Sequence, residues 1–374
     1  MRETLARIQE LSAGRFPHLP PRVGRFLLIL GSALSPNKIL ILGARDSAEA
    51  LWLSPAVGEG RIIIPQGEKK AKALQEELAA LKLGDVVDVV TSDARGFPAS
   101  MRESFPLVIL SASPADRFQS LDLLESLLAK GGLLTVIGDG KGTEDRFHQA
   151  PRESDRIFTS HIPFEIGLTL AVSTAGDTSP SGDVDRLLME MELVNIQSRE
   201  ENWAVKLRPR NLHPENARLL HLMTLATKPK QILEIGTSTG YSTIWLGLAA
   251  RRVGATVAGT EIDQDKVKIA TENIIRAGLG DTVRVLGGDA RMTLRELSGP
   301  YEVVFLDADK EDYLDYLHLI RPLLSARGLV FADNVHSHRE QCRPYLEAIE
   351  KDDELLSVTL PVGAGLEMTL NVGS

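Results

Sequence analysis

Gln231-Ile-Leu-Glu-Ile-Gly-Thr-Ser-Thr-Gly-Tyr-Ser242 starts as five residues of strand character and runs into a turn punctuated by Gly236 and Gly240. Beyond the turn, Thr243-Ile-Trp-Leu246 takes on helical period. A strand that turns through glycines into a helix opens a parallel βαβ unit. Outward from this point, short β-branched runs alternate with longer helix-period segments. Strands are expected at roughly 231–235, 255–261, 282–286, 302–306, 328–332, 355–360 and 365–371. The last two flank Pro361-Val-Gly-Ala-Gly365, a span too short for a crossover, so they must form an antiparallel hairpin.

The opening stretch has a second copy. Lys38-Ile-Leu-Ile-Leu-Gly-Ala44 lines up with Gln231-Ile-Leu-Glu-Ile-Gly-Thr237 at an offset of 193, and the match runs without a gap to Ala50-Leu-Trp-Leu53 on Thr243-Ile-Trp-Leu246. Upstream, Pro21, Arg25 and Pro36 fall on Pro214, Arg218 and Pro229. At an offset of 196, Leu83-Gly-Asp85 through Asp93-Ala-Arg95 falls on Leu279-Gly-Asp281 through Asp289-Ala-Arg291. Leu107-Val-Ile-Leu110 falls on Val303-Val-Phe-Leu306, and Ile162-Pro163 on Leu360-Pro361 at 198. A register kept over so many elements means two tandem α/β domains. The small, polar and Gly/Pro-containing stretch from Ser173 to Asp183 reads as the linker, which gives domains 1–178 and 179–374.

Bulk composition narrows the class. The 374 residues are 43% hydrophobic and 25% charged, as expected of a globular chain with two cores. No run reaches the roughly 18–20 apolar residues of a membrane span. The N-terminal segment carries charge throughout and does not read as a signal peptide. One cysteine, Cys342, excludes an intramolecular disulfide and fits a cytoplasmic protein. A net charge of −9 disfavours a general nucleic-acid partner.

The chemistry-bearing residues of the second copy follow the strand ends. Glu234 can accept hydrogen bonds from a ligand ammonium, beside a turn where Gly236, Ser238, Gly240 and Ser242 would contact the same ligand. A turn that only packs is the alternative. Glu261 closes the next strand, where an acid can hold both hydroxyls of a ribose; Asp263 is a second candidate for that role. Asp289 and Ala290 stand where an adenine edge would be read, although Asp289 would serve equally as a helix cap. Phe305-Leu-Asp-Ala-Asp-Lys310 and Phe331-Ala-Asp-Asn334 end two strands expected to be neighbours. Asp307, Asp333 and Asn334 form an oxygen-only set suited to Mg²⁺, Mn²⁺ or Ca²⁺. Such an ion would lower the pKa of an acceptor hydroxyl, and Lys310 is the candidate general base.

Residues 183–374 resemble the catechol and caffeoyl-CoA O-methyltransferase family in Leu233-Glu-Ile-Gly-Thr-Ser-Thr-Gly-Tyr-Ser242, Glu261, Gly288-Asp-Ala290, Leu306-Asp-Ala-Asp-Lys310, Asp312-Tyr313 and Ala332-Asp-Asn-Val335. The resemblance implies two tandem Rossmann-like class I methyltransferase domains. Each would have a mostly parallel seven-stranded sheet ending in an antiparallel hairpin, a layout that nicotinamide-binding domains do not share. It implies that Glu234, Gly236, Ser242, Glu261 and Ala290 bind S-adenosylmethionine (SAM), with Asp307 also placed to touch it. It further implies that Asp307, Asp333 and Asn334 hold a divalent metal and that Lys310, with Asp307, is catalytic. The implied reaction is methyl transfer to a hydroxyl of a small catechol-like or phenolic acceptor. Methylation of a hydroxylated wobble uridine in tRNA is the alternative, and a non-catalytic scaffold a more distant one. A homodimer is an open expectation. One departure stands out: His336-Ser-His338 leads directly into a helix, where plant-type members carry a longer insertion, and both histidines are candidates to line the acceptor site.

The first copy keeps the apolar frame and lacks these groups. Glu234 is matched by Ile41, Gly240 by Ser47, Glu261 by Pro65, and Lys310 by Pro114. Asp307, Asp333 and Asn334 are matched by Ser111, Ile137 and Gly138, while Gly43 and Asp93-Ala-Arg95 persist. The first domain is therefore expected to be an inactive relative of the second.

Overall fold

In a computed structural model of the chain, residues 2–92, 103–111, 125–138, 157–174 and 182–373 are described. Asp93-Ala-Arg95, Pro114 and most of the expected linker lie outside them. The chain divides into two compact units, Met1–Thr178 and Ser179–Ser374.

Unit 1 contains α1 (Arg2–Ser12), α2 (Pro21–Leu34), β1 (Lys38–Leu42), α3 (Ala48–Leu53), β2 (Arg61–Gln66), α4 (Glu68–Ala80), β3 (Val87–Thr91), β4 (Phe105–Leu110), β5 (Leu128–Ile137), β6 (Ile157–Ile162) and β7 (Leu168–Ser173). Unit 2 contains α5 (Gly182–Glu200), α6 (Pro214–Thr227), β8 (Gln231–Ile235), α7 (Tyr241–Val253), β9 (Thr256–Glu261), α8 (Gln264–Arg276), β10 (Val283–Gly287), α9 (Ala290–Thr293), β11 (Tyr301–Leu306), α10 (Tyr313–Ile320), β12 (Leu324–Ala332), α11 (Arg339–Lys351), β13 (Leu355–Leu360) and β14 (Leu366–Asn371).

Each unit has one seven-stranded mixed sheet, and the two strand orders correspond: β3-β2-β1-β4-β5-β7-β6 and β10-β9-β8-β11-β12-β14-β13. The first five strands of each run parallel, and the last two close the sheet as the expected antiparallel hairpin. All strand runs inferred for the second copy are present; β12 starts at Leu324, earlier than the sequence pattern indicated.

Register explains why the chemistry gathers at one edge. Ile235 lies opposite Thr260 on one side and Leu306 on the other, Leu306 lies opposite Ala332, and Glu261 lies opposite Gly287. The residues that follow these positions leave the sheet together at its carboxyl edge, where ligands of open α/β sheets sit. Below that edge, Leu233, Ile235, Val304, Leu306, Val330 and Ala332 pack against Tyr313, Leu317, Ile320 and Tyr345. The packed layer holds the strand ends rigid. Among the described residues, no helix is long and apolar enough to cross a membrane.

Candidate active site

The turn after β8 closes only because two residues lack a side chain. Gly236 has φ 98°, and a Cβ there would overlap the backbone carbonyl of Asp307 at the end of the neighbouring strand. Gly240, at φ 94°, starts α7 against Ala270 of α8. Gly236 is thus required for chain to pack on chain, whereas a side chain at Gly240 would meet Ala270 only at ordinary contact distance; both glycines hold a positive φ that side chains disfavour.

Glu234 is fully buried on β8. Its two carboxylate oxygens accept hydrogen bonds from the hydroxyls of Ser242 and Thr243, one from each, at the start of α7. Burial pushes its pKa up to about 7, the two hydroxyls pull the other way, and the charges of Asp307 and Glu261 add to the rise. Glu261 faces the same turn: it accepts from the backbone N–H of Ser238 at 2.7 Å and of Asp263 at 3.0 Å. Ser238 sits at φ 49° with its hydroxyl donating to the carbonyl of Pro209. Lys266 of α8 reaches that hydroxyl at 3.3 Å.

The structure separates pairs that the sequence left open. Asp263 caps α8, accepting from the N–H groups of Asp265 and Lys266, whereas Glu261 points at the glycine turn. Asp289 caps α9 through the N–H of Arg291 and also pairs with the Arg291 guanidinium at 2.7 Å, which holds its carboxyl below the usual range. Ala290 is buried beside it, and Gly288 donates its N–H to the carbonyl of Glu261, so the ends of β9 and β10 are tied together.

Asp307 and Asp333 leave β11 and β12 side by side. Asp307 accepts from the Lys310 ammonium at 2.7 Å, with Asp307 17% and Lys310 12% exposed. Lys310 also donates to the carbonyl of Ala308 at 2.9 Å and lies 5.3 Å from the centre of the Tyr313 ring. Asp333 is 3% exposed, and burial together with the charge of Asp307 raises its pKa to about 7. Lys310, Asn216 and the N–H of Asn334 act in the opposite direction. Asn334 takes φ 66°, a left-handed conformation that asparagine tolerates. His336 and His338 are both exposed; the His336 ring packs on Gly365, and His338 shares a hydrogen bond with the Ser337 hydroxyl.

Two residues of this site were given no role by the sequence. Asn216, buried on α6, donates to Asp333 at 2.7 Å across 117 positions of sequence, and its own side-chain oxygen is buried without a hydrogen-bond partner. Tyr313 reaches the carbonyls of Leu306 (2.9 Å) and Asp333 (3.1 Å) with its one hydroxyl, and so pins the ends of β11 and β12 to each other. Tyr313 belongs to the motif quoted above, but its spacing gives no hint of this tie.

Unit 1 has the same edge with different groups. Gly43 keeps the positive φ of Gly236, at 71°. The strand acid is gone, with Ile41 in its place, but a buried acid remains: Glu49, at the position of Ser242, accepts from the hydroxyl of Ser111, at the position of Asp307. The carboxylate has moved from the strand to the helix.

Residues 187–370, nearly the whole of unit 2, match the model of a family described as O-methyltransferase. A catechol O-methyltransferase of Niastella koreensis is 36% identical over 129 residues, 33% of this chain and 58% of the relative. One from Mycobacterium tuberculosis is 37% identical over 122 residues, 32% of this chain and 55% of the relative. The chain thus spans little more than half the length of the curated relatives it matches. Among solved structures, an O-methyltransferase from Bacillus cereus in complex with SAH is 26% identical, covers 50% of this chain and 91% of its own, and has a TM-score of 0.43.

Proposed function

We propose that unit 2 transfers a methyl group from SAM to a hydroxyl oxygen of a small catechol-like or phenolic acceptor, with a divalent cation held by Asp307, Asp333 and Asn334. The observation that carries this reading is the carboxylate pair of partly buried Asp307 and buried Asp333, set beside Lys310 at the same sheet edge as Glu234 and Glu261. Burial and the charge of Asp307 raise the pKa of Asp333, a place that fits a hard cation, and the amide oxygen of Asn334 adds a third donor of the same kind. When bound, such an ion would lower the pKa of the acceptor hydroxyl and orient its oxygen, with Mg²⁺ the first candidate. The chain's own residues supply the rest. Glu234 and the turn from Gly236 to Ser242 would hold the amino-acid end of SAM, Glu261 its ribose, and Asp289 with Ala290 its adenine. Lys310 stands next to Asp307 and, as the neutral amine left after its own proton has gone to solvent, would accept the acceptor's proton. Unit 1 lacks the strand acid, the ribose acid and the metal set, and we assign it no methyl transfer.

The test is methyl transfer to a panel of catechols with Mg²⁺, repeated with chelator and with Asp307→Ala. Activity is expected to vanish in both controls; activity that survives chelation sinks the metal-assisted reading. Transfer to tRNA and not to catechols would instead favour the wobble-uridine alternative.

A further inference from the structure

The relocated acid of unit 1 lies in a cluster of its own. His18, from the segment between α1 and α2, and Asp46 and Glu49, from the turn after β1 and the start of α3, each offer one ligand atom, and these atoms all lie within 4.8 Å of one another. We propose that unit 1 binds one divalent transition-metal cation through the His18 imidazole and the Asp46 and Glu49 carboxylates.

Four observations support the site. Glu49 is 0% exposed, and while one of its oxygens accepts from Ser111, the other, Oε2, is buried with no hydrogen-bond partner among the described residues. The Nε2 of His18 is likewise buried without a hydrogen-bond partner; its nearest carboxylate contact, Asp46 Oδ1, is at 3.6 Å, beyond hydrogen-bond range. Ser47, between the two acids, has a buried hydroxyl in the same state. Buried polar atoms nearly always have a partner, so two at the start of α3, with a third on His18 of the cluster, mark a place built around a polar guest. Finally, both carboxylates are already aimed: Ser111 fixes Glu49, and the N–H of Ala48 fixes Asp46 at 2.9 Å.

The donor set selects the guest. One imidazole nitrogen with two carboxylates suits Zn²⁺, Mn²⁺ or Fe²⁺, with remaining positions filled by water, and does not suit the oxygen-seeking Mg²⁺ or Ca²⁺. The ion would clamp the segment before α2 to the turn after β1, which leaves it a structural role in a unit without methyl transfer.

Calorimetry with Zn²⁺ tests the proposal on the full chain carrying Asp307→Asn and Asp333→Asn, which removes the other cation set and keeps the two readings separate. One Zn²⁺ per chain is expected, and it should raise the thermal unfolding temperature. Adding Glu49→Gln, which keeps the acceptor for Ser111, should weaken binding by at least about tenfold, and His18→Ala should do the same. With Co²⁺ as probe, the visible absorption of a nitrogen-containing site should appear and be lost in His18→Ala. If His18→Ala does not fold by circular dichroism, Glu49→Gln alone decides. Absence of stoichiometric binding, or unchanged binding in Glu49→Gln, overturns the site.

Discussion

Glu234 is a carboxylate where water does not reach, kept there by two hydroxyls of the next helix. Its pKa is raised from 4.5 to about 7, so the charged form is the disfavoured one in the fold. The unfolded chain releases this proton at lower pH than the folded chain does. Wild-type stability therefore falls as pH rises through that window, by about 3 kcal/mol in total. Glu234→Gln removes the titration and keeps the shape, so at pH 8 the variant is expected to be at least as stable as wild type in denaturant melts. Its SAM affinity should fall by about 10- to 100-fold, the cost of losing a charged hydrogen-bond acceptor. A variant less stable at pH 8 that binds SAM normally would show the acid to be structural. Asn216 is the opposite case. Asp307 and Asp333 could be read from the sequence because they follow strand runs of clear period. Asn216 sits in the first turn of α6, far away in sequence, and only the fold brings it to Asp333. Asn216→Ala should raise the Mg²⁺ concentration needed for half-maximal methyl transfer by about tenfold, since it frees a carboxylate that the helix now orients.

At the scale of elements, the strand runs of the second copy and its closing hairpin were legible because apolar runs and glycine turns agree on one frame. What stayed ambiguous were acids next to helix starts. Asp263 and Asp289 satisfy capping and ligand readings equally on paper, and only the N–H groups they face distinguish the two. The glycines were legible by position, and at Gly236 the space is taken by the carbonyl of Asp307 just beyond β11, the packing reading that the sequence held beside the ligand one. Gly236→Ala should therefore destabilise unit 2 by at least about 1–3 kcal/mol from the positive φ alone, with the overlap at Asp307 adding to it. A thermal melt reads this directly, and an unchanged melting temperature would mean that β8 and β11 part more easily than the packing indicates. The contact between α6 and α7 carries a pH dependence. His221 of α6 is buried, hydrogen-bonded through Nδ1 to the carbonyl of Trp245 at 2.9 Å and set edge-on to that indole. Desolvation lowers its pKa from 6.5 to about 4, so the native state keeps it neutral while the unfolded chain takes up a proton. The stability it confers is complete above pH 6.5 and is lost as pH falls toward 4, about 3 kcal/mol in all. His221→Phe should flatten the dependence of stability on pH in that window; equal slopes would refute the burial account.

On the scale of the whole chain, one sheet order appears twice and carries two different sets of polar groups. The apolar strands fix the fold in both units, and the polar residues at the carboxyl edge are free to change as long as each buried group keeps a partner or a ligand. Ser242 paired with Glu234 in unit 2, and Glu49 paired with Ser111 in unit 1, are two solutions for one buried acid. The two units should then respond to different ligands. SAM stabilises only what binds it, by about 2.7 kcal/mol at a hundred times its dissociation constant. Hydrogen exchange resolved by peptide turns that into a map, because exchange through opening of the bound unit slows by about 100-fold under the same condition. With SAM, protection is expected in peptides covering 231–245, 258–263, 287–292 and 305–310, and none in peptides covering 38–53. With Zn²⁺ on the Asp307→Asn, Asp333→Asn chain the pattern should invert, with protection near His18 and at 44–50 alone. SAM-dependent protection at 38–53 would mean that unit 1 still binds the nucleoside, and that the loss of Glu234, Gly240 and Glu261 equivalents did not empty its edge.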